Sequence, residues 1–247
     1  MPATLRSDPE LGVFETMLVA GGRPVELDAH LERLAISLEE VYALEAPAQA
    51  RALTEERARG IGLGRLRLTV VPGAQRPEVD AVAVAVEQAD VFPSRERAAA
   101  LRGLVLEGGL GAHKWADRAC LELPEPGGPR ELPLLLDADG TVLEASRASV
   151  FAVFDGVPLT PPADGRILPG ITRERVLEVA RELGLGPREA ELHVSELAEA
   201  EEVFLVGSVR GVEPAGTLDG EPLPNGEAVA AAIAAELQCR WLGVDLA

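Results

Sequence analysis

The sequence predicts a mixed α/β (α+β) protein in two domains, and three observations carry the prediction. Short apolar runs alternating with polar residues recur along the chain between turn-forming residues, as strands do. Leu27, Leu31, Leu34, Leu38 and Val41 recur at spacings of four, three, four and three, the buried stripe of an amphipathic helix. Between residues 91 and 97 the composition turns polar around Pro93, which disfavours continued strand pairing and marks a boundary. The predicted division is a small α/β domain over residues 1–93, a linker over 94–100 and a larger domain over 101–247. A chain of 247 residues can bury a core in each.

Taken in order, residues 11–19 read as a strand closed by Gly21-Gly22, and Asp28 is placed to cap the helix that follows. Arg33 lies off the helix stripe, where an arginine is ordinarily solvated. Residues 65–71 alternate with Leu66, Leu68 and Val70 on one face, and residues 81–87 with Val82, Val84 and Val86. These are two half-buried antiparallel strands joined through the 72–77 loop. In the second half, residues 134–136 and 141–144 flank the turn at 137–140, and 149–154 pairs with 157–160 around Asp155-Gly156. A helix enters at Gly170-Ile171-Thr172, with Val176, Val179, Ala180 and Leu183 on its buried side and Gly184 near its end. Its first-turn N–H groups and dipole favour a phosphate, with the Thr172 hydroxyl as an added donor; the same Gly-x-Thr pattern also serves as a plain cap. Residues 203–206 read as a buried strand running into the small-residue loop 207–211, which can approach a ligand closely. An alanine-rich helix from Glu227 toward Trp241 docks on the core.

Composition removes several functions. A formal net charge of -18 argues against a nucleic-acid surface, which needs clustered Lys and Arg, and leaves small anions bound through a local pocket of donors. Cys120 and Cys239 lack metal-ligand spacing and read as buried thiols, so no metal is expected. No signal peptide or membrane span is visible, and a cytoplasmic location is expected.

One residue stands apart. Lys and Arg together number 23, and Lys114 is the one lysine. Arginine cannot lose its proton in a protein, whereas a lysine amine can be desolvated, deprotonated and used as a nucleophile or proton shuttle. A lysine of this kind, a carboxylate for a ring nitrogen and a helix N-terminus for a phosphate together fit pyridoxal phosphate (PLP). The lysine holds the aldehyde, the carboxylate keeps the pyridine nitrogen protonated, and the amides bind the phosphate.

Six stretches then occur in the order found in a known family: Gly12-Val13-Phe14-Glu15-Thr16, Asp28-Ala29-His30-Leu31-Glu32-Arg33-Leu34, His113-Lys114-Trp115, residues 144–151, Ile167-Leu168-Pro169-Gly170-Ile171-Thr172-Arg173, and Gly207-Ser208-Val209-Arg210-Gly211. In these the chain resembles the class IV (fold type IV) PLP enzymes, which hold branched-chain and D-amino-acid aminotransferases and 4-amino-4-deoxychorismate lyases. The resemblance covers nearly the whole sequence. It implies the D-amino-acid-aminotransferase-like fold of two α/β domains, the larger one binding the cofactor, assembled as a homodimer.

By this resemblance Lys114 carries the cofactor, Glu144 faces its pyridine nitrogen, and Arg33, Ile171, Thr172 and Ser208 bind its phosphate. Phe14, Thr16, Val209 and Arg210 are the expected substrate contacts, and His113 an orienting or packing neighbour. Two departures stand out. The leader is too short for all of the additional amino-terminal strand usual before Gly-Val-Phe-Glu, and Ser149 stands where many members have asparagine. The 205–211 segment resembles lyase domains fused to aminodeoxychorismate synthases, and Arg210 suits a small anionic substrate. The expected activity is therefore a lyase that releases pyruvate and 4-aminobenzoate, with a class IV aminotransferase acting on branched-chain or D-amino acids as the alternative.

Overall fold

The computed structural model describes residues 7–73, 76–123 and 131–243. The chain forms two compact units, one of residues 1–91 with 112–120 and the other of residues 92–111 with 121–247. This differs from a single cut at residue 93 with a linker over 94–100. The strand β5 already begins at Ala99, and the chain returns to the first unit at 112–120.

In the first unit, β1 (Val13–Ala20), β2 (Arg23–Pro24), β3 (Leu63–Val71) and β4 (Glu78–Ala85) form an antiparallel sheet in the order β2-β1-β3-β4. The helices α1 (Leu27–Tyr42) and α2 (Ala50–Ala58) cover one face. Val13, Met17, Val19, Leu34, Leu38, Leu66, Leu68 and Val70 make the core there, so the alternation read in β3 and the centre of the Leu27 stripe both point inward.

Three expectations fail locally. Asp28 does not cap α1. The N-cap is Glu26, held at φ 55° without a side-chain cap, and exposed Asp28 pairs with Arg51 instead. On β4 Ala81, Ala83 and Val79 face the core, while Val82 is 54% exposed and Val84 is also out in solvent. Helices α1 and α2 lie on the side of the sheet to which Ala81 and Ala83 point. The pairing Leu66↔Ala83 and Leu68↔Ala81 sets the small residues inward, and with a period of two it turns the valines outward. Cys120 and Cys239 are half-buried rather than buried.

Gly12 precedes β1 at φ +83°, and a Cβ there would lie 2.1 Å from the Val70 carbonyl oxygen. Gly12→Ala therefore forces both a strained backbone and a shift of β3. It should destabilise the protein by about 1–3 kcal/mol or more, read as a fall in the urea midpoint. A variant as stable as the parent would show that this corner yields freely.

The second unit contains β5 (Ala99–Val105), β6 (Glu131–Leu136), β7 (Val142–Ala145), β8 (Ser149–Phe154), β9 (Val157–Thr160), α3 (Ile171–Glu182), β10 (Arg188–Glu189), β11 (Glu202–Gly207), β12 (Gly211–Leu218), β13 (Glu221–Pro222) and α4 (Ala228–Leu242). Its sheet runs β10-β9-β8-β11-β12-β5-β6-β7, with β13 on β12. The β8–β9 turn places Asp155 at φ 50° and Gly156 at φ 72°, the double left-handed geometry that an Asp-Gly turn supplies. One side of the core holds Leu134, Val150, Ala152, Leu205 and Ala215. Phe151 and Phe204 stack with ring centroids 5.3 Å apart, and α3 packs on β11 and α4. Val176, Val179 and Ala180 are buried as expected. Leu183, the C-cap of α3, is exposed, because the helix ends there in Gly184 at φ +74°.

Candidate active site

In the first unit the lysine segment is built onto the start of β1 as a short extra pairing. Phe14 N–H donates to the Lys114 carbonyl at 2.9 Å, Ala116 N–H donates to the Gly12 carbonyl at 2.9 Å, and Val13 bridges Trp115. The Trp115 ring packs on the core beneath. His113 lies with Nδ1 3.2 Å from Ser37 Oγ and Nε2 3.7 Å from Glu40, both on α1, and its ring meets Trp115 edge-on. Both neighbours of Lys114 are thus anchored. Lys114 itself is half-buried, with Nζ 5.1 Å from the centre of the Phe14 ring.

That ring gathers two further cations. Arg67 Cζ sits 3.7 Å from its centroid and Arg118 Cζ 5.9 Å. Arg67 is opposite Thr16 in the β1–β3 register, so Phe14, Thr16 and Arg67 share the sheet face away from α1 and α2. Burial, and then the charge of Arg65, pull the Arg67 guanidinium below its ordinary pKa. In a chain of net charge -18, three cations thus stand around one aromatic ring. Sequence reasoning missed Arg67 and Arg118. Arg67 was legible only as the polar position of an alternating strand, and Arg118 as the fourth residue after the lysine.

Arg33 is 8% exposed, not solvated. Its Nε and Nη2 donate to the two carboxylate oxygens of Glu15 at 2.9 and 2.6 Å, and His30 Nδ1 lies 2.7 Å from Glu15 Oε2. His30 and Arg33 are three residues apart on α1 and so face β1 together. Burial alone would raise the Glu15 pKa, but the Arg33 charge and the hydrogen bonds from His30 and Arg33 more than offset it. The carboxyl is held down to about 2.

In the second unit α3 begins at Ile171, with Gly170 as N-cap and no side-chain cap among the described residues. A Cβ at Gly170 would come within 2.7 Å of Ser149 Oγ, so glycine lets Ser149 pack under the helix entrance. Without a side-chain cap, first-turn amides such as those of Ile171 and Thr172 can serve an outside acceptor. Thr172 Oγ1 lies 3.2 Å from Ser208 Oγ, which brings two of the expected phosphate donors together. The Ser208 loop is the tip of the β11–β12 hairpin, closed by the pairing Gly207↔Gly211. It is fixed from behind by Phe92, whose N–H donates to the Arg210 carbonyl at 2.9 Å and whose ring a Cβ on Gly211 would strike.

Val209 and Arg210 are half-buried on this tip. Arg210 Nε lies 2.9 Å from Glu213 Oε1, and Arg147 Nη2 is 3.4 Å from the same oxygen. One buried carboxylate therefore organises two guanidinium groups. Glu144 is buried on β7, where Leu168 N–H reaches its Oε1 at 3.4 Å. A buried carboxylate, a helix N-terminus flanked by two hydroxyls, and an anchored lysine are the three donor sets that PLP requires, and their chemistry fits it.

The family model for amino-transferase class IV matches residues 12–117 and 130–216. The chain belongs to that family. Over 253 residues it is 30% identical to a bifunctional aminodeoxychorismate lyase / D-amino acid transaminase of Mycobacterium tuberculosis, covering 90% of this chain and 86% of that protein. It is 38% identical to the branched-chain-amino-acid aminotransferase of Escherichia coli over 93 residues, 38% of this chain. That match spans only 30% of the aminotransferase. Among solved structures, a hypothetical aminotransferase from Mycobacterium tuberculosis in its PLP-bound form superposes with a TM-score of 0.76 at 25% identity, covering 98% of this chain and 94% of that one. The fold is that of the class IV enzymes, as the six motifs implied.

Proposed function

We propose that this class IV PLP enzyme is a 4-amino-4-deoxychorismate lyase, releasing pyruvate and 4-aminobenzoate. The observation that carries the reading is the cationic ring site, where Arg67 and Arg118 join Lys114 around Phe14, on a chain similar along most of its length to a bifunctional lyase and transaminase. The lyase substrate has two carboxylates, and such a site suits a dianion.

When bound, PLP supplies an electron sink for the bonds around the carbon that bears the substrate amine. Lys114 would hold the cofactor, and once the substrate amine had taken its place the released Nζ would accept the proton from that carbon, the ring C–O bond breaking so that pyruvate leaves as its enol and the ring becomes aromatic. Glu144 holds a proton on the pyridine nitrogen. Ile171 and Thr172 bind the phosphate through the helix N-terminus, Ser208 adds a hydroxyl and Arg33 a guanidinium. Phe14, Thr16, Val209 and Arg210 contact the substrate, with Arg210 meeting a carboxylate. With this reading go a homodimeric assembly, a cytoplasmic location and a place in the supply of the folate precursor.

The second reading, a class IV aminotransferase acting on branched-chain or D-amino acids, has its own support in the 93-residue match to a branched-chain enzyme and in the transaminase half of the bifunctional relative. A product assay separates them. The lyase should form pyruvate and 4-aminobenzoate in equal amounts with no added keto acid, and Arg210→Ala should cost about 1.5–3 kcal/mol of substrate binding. Steady transamination of ordinary amino acids, with no pyruvate from aminodeoxychorismate, would overturn the lyase and leave the aminotransferase.

A further inference from the structure

We propose that Glu15 and His30 are positioning residues that pre-set the Arg33 guanidinium for the cofactor phosphate, an inference that rests on the phosphate role given to Arg33 above. The geometry is that of a clamp. Glu15 occupies the Nε and Nη2 edge of the guanidinium with two near-parallel bonds of 2.9 and 2.6 Å, which fixes the plane of the group as well as its place. His30 holds the carboxylate in turn at 2.7 Å, so a strand residue is gripped from two positions of one helix face.

The arrangement costs more than a packing role warrants. Glu15 and His30 are each 1% exposed, and His30 Nε2 is buried with no hydrogen-bond partner among the described residues. Replacing a buried ionic cluster by well-packed apolar residues is often neutral or stabilising, so burial of the cluster here asks for another return. A long side chain with several rotatable bonds loses that freedom when it grips an anion, and a clamp that removes the freedom beforehand strengthens the grip. Because the Glu15 carboxyl is held near 2, it stays ionised at every ordinary pH and the clamp does not open by protonation.

The test compares two ligands on the full-length apoprotein: PLP, and pyridoxal, which lacks the phosphate but can still reach Lys114. Affinities are read by spectroscopic titration for the parent and for Arg33→Ala, Glu15→Gln, His30→Leu and the Arg33→Ala/Glu15→Gln double variant. Arg33→Ala should collapse the preference for PLP over pyridoxal. Glu15→Gln should lower that preference by about tenfold, the cost of immobilising one long side chain, while pyridoxal affinity holds within about twofold. The double variant should be no worse than Arg33→Ala, and His30→Leu should act in the same direction but less.

A merely structural role would weaken both ligands alike. That outcome, or an unchanged preference in Glu15→Gln and His30→Leu beside a collapsed one in Arg33→Ala, would overturn the clamp while leaving the phosphate role of Arg33 standing. An unchanged preference in Arg33→Ala would remove the phosphate role and the clamp with it. If Glu15→Gln does not fold, His30→Leu decides.

Discussion

Lys114→Arg should abolish the visible absorbance of lysine-bound PLP and lower turnover by about 10⁴-fold or more, since the covalent tether goes together with a positioned acid–base group. The guanidinium keeps the positive charge beside Phe14, and it cannot form the linkage or give up a proton. The substitution is a stringent one because it keeps the charge while removing the amine. The backbone of residue 114 is held by its carbonyl on Phe14, and the flanking side chains are anchored by Ser37, Glu40 and the core, so folding should be unaffected. An intact visible band in the variant, or turnover within tenfold of the parent, would end the assignment of Lys114. Comparable melting temperatures for the two proteins make the result interpretable.

The second large effect is on stability. Glu15→Gln should destabilise the protein at pH 7 by roughly 3–5 kcal/mol, the usual cost of removing one partner from a buried pair and leaving the other charge uncompensated. The pH dependence has a definite sign. The Glu15 carboxyl is near 2 in the folded chain against an ordinary value of 4.5. Its contribution is thus complete above about pH 4.5 and fades as the pH falls toward 2. At about 1.4 kcal/mol per unit it amounts to roughly 3 kcal/mol, in line with the mutational figure. Urea unfolding of both proteins at pH 7 and at pH 3 measures it, and the gap between them should narrow in acid. A gap that is the same at both pH values would show that the charge of Glu15 contributes nothing through Arg33.

Several local features of the candidate site were readable along the chain because each is confined to a short stretch. A solitary lysine among arginines marks itself by composition. The uncapped entrance of α3 is written in Gly170-Ile171-Thr172, and the Asp155-Gly156 turn in its two left-handed residues. The inward faces of β3 and α1 follow from periods of two and about 3.6, which depend only on the geometry of one strand or helix.

Tertiary structure decided the matters in which a residue chooses among distant partners. Arg33 looks solvated by its position on α1, and is buried because Glu15, on a strand 18 residues earlier, offers it a carboxylate. Val82 and Val84 look like core residues, and face outward because the pairing of β4 with β3 sets their alanine neighbours against the helix-covered face of the sheet. Arg67 and Arg118 do not stand out in the sequence and come together only when β3 and the segment after Lys114 meet at the ring of Phe14. Which elements form, and which residue types can perform the chemistry, follow from the residues of short stretches taken alone. Charge compensation, strand register and the gathering of cations depend on contacts between segments far apart in the chain, and these the folded structure supplied.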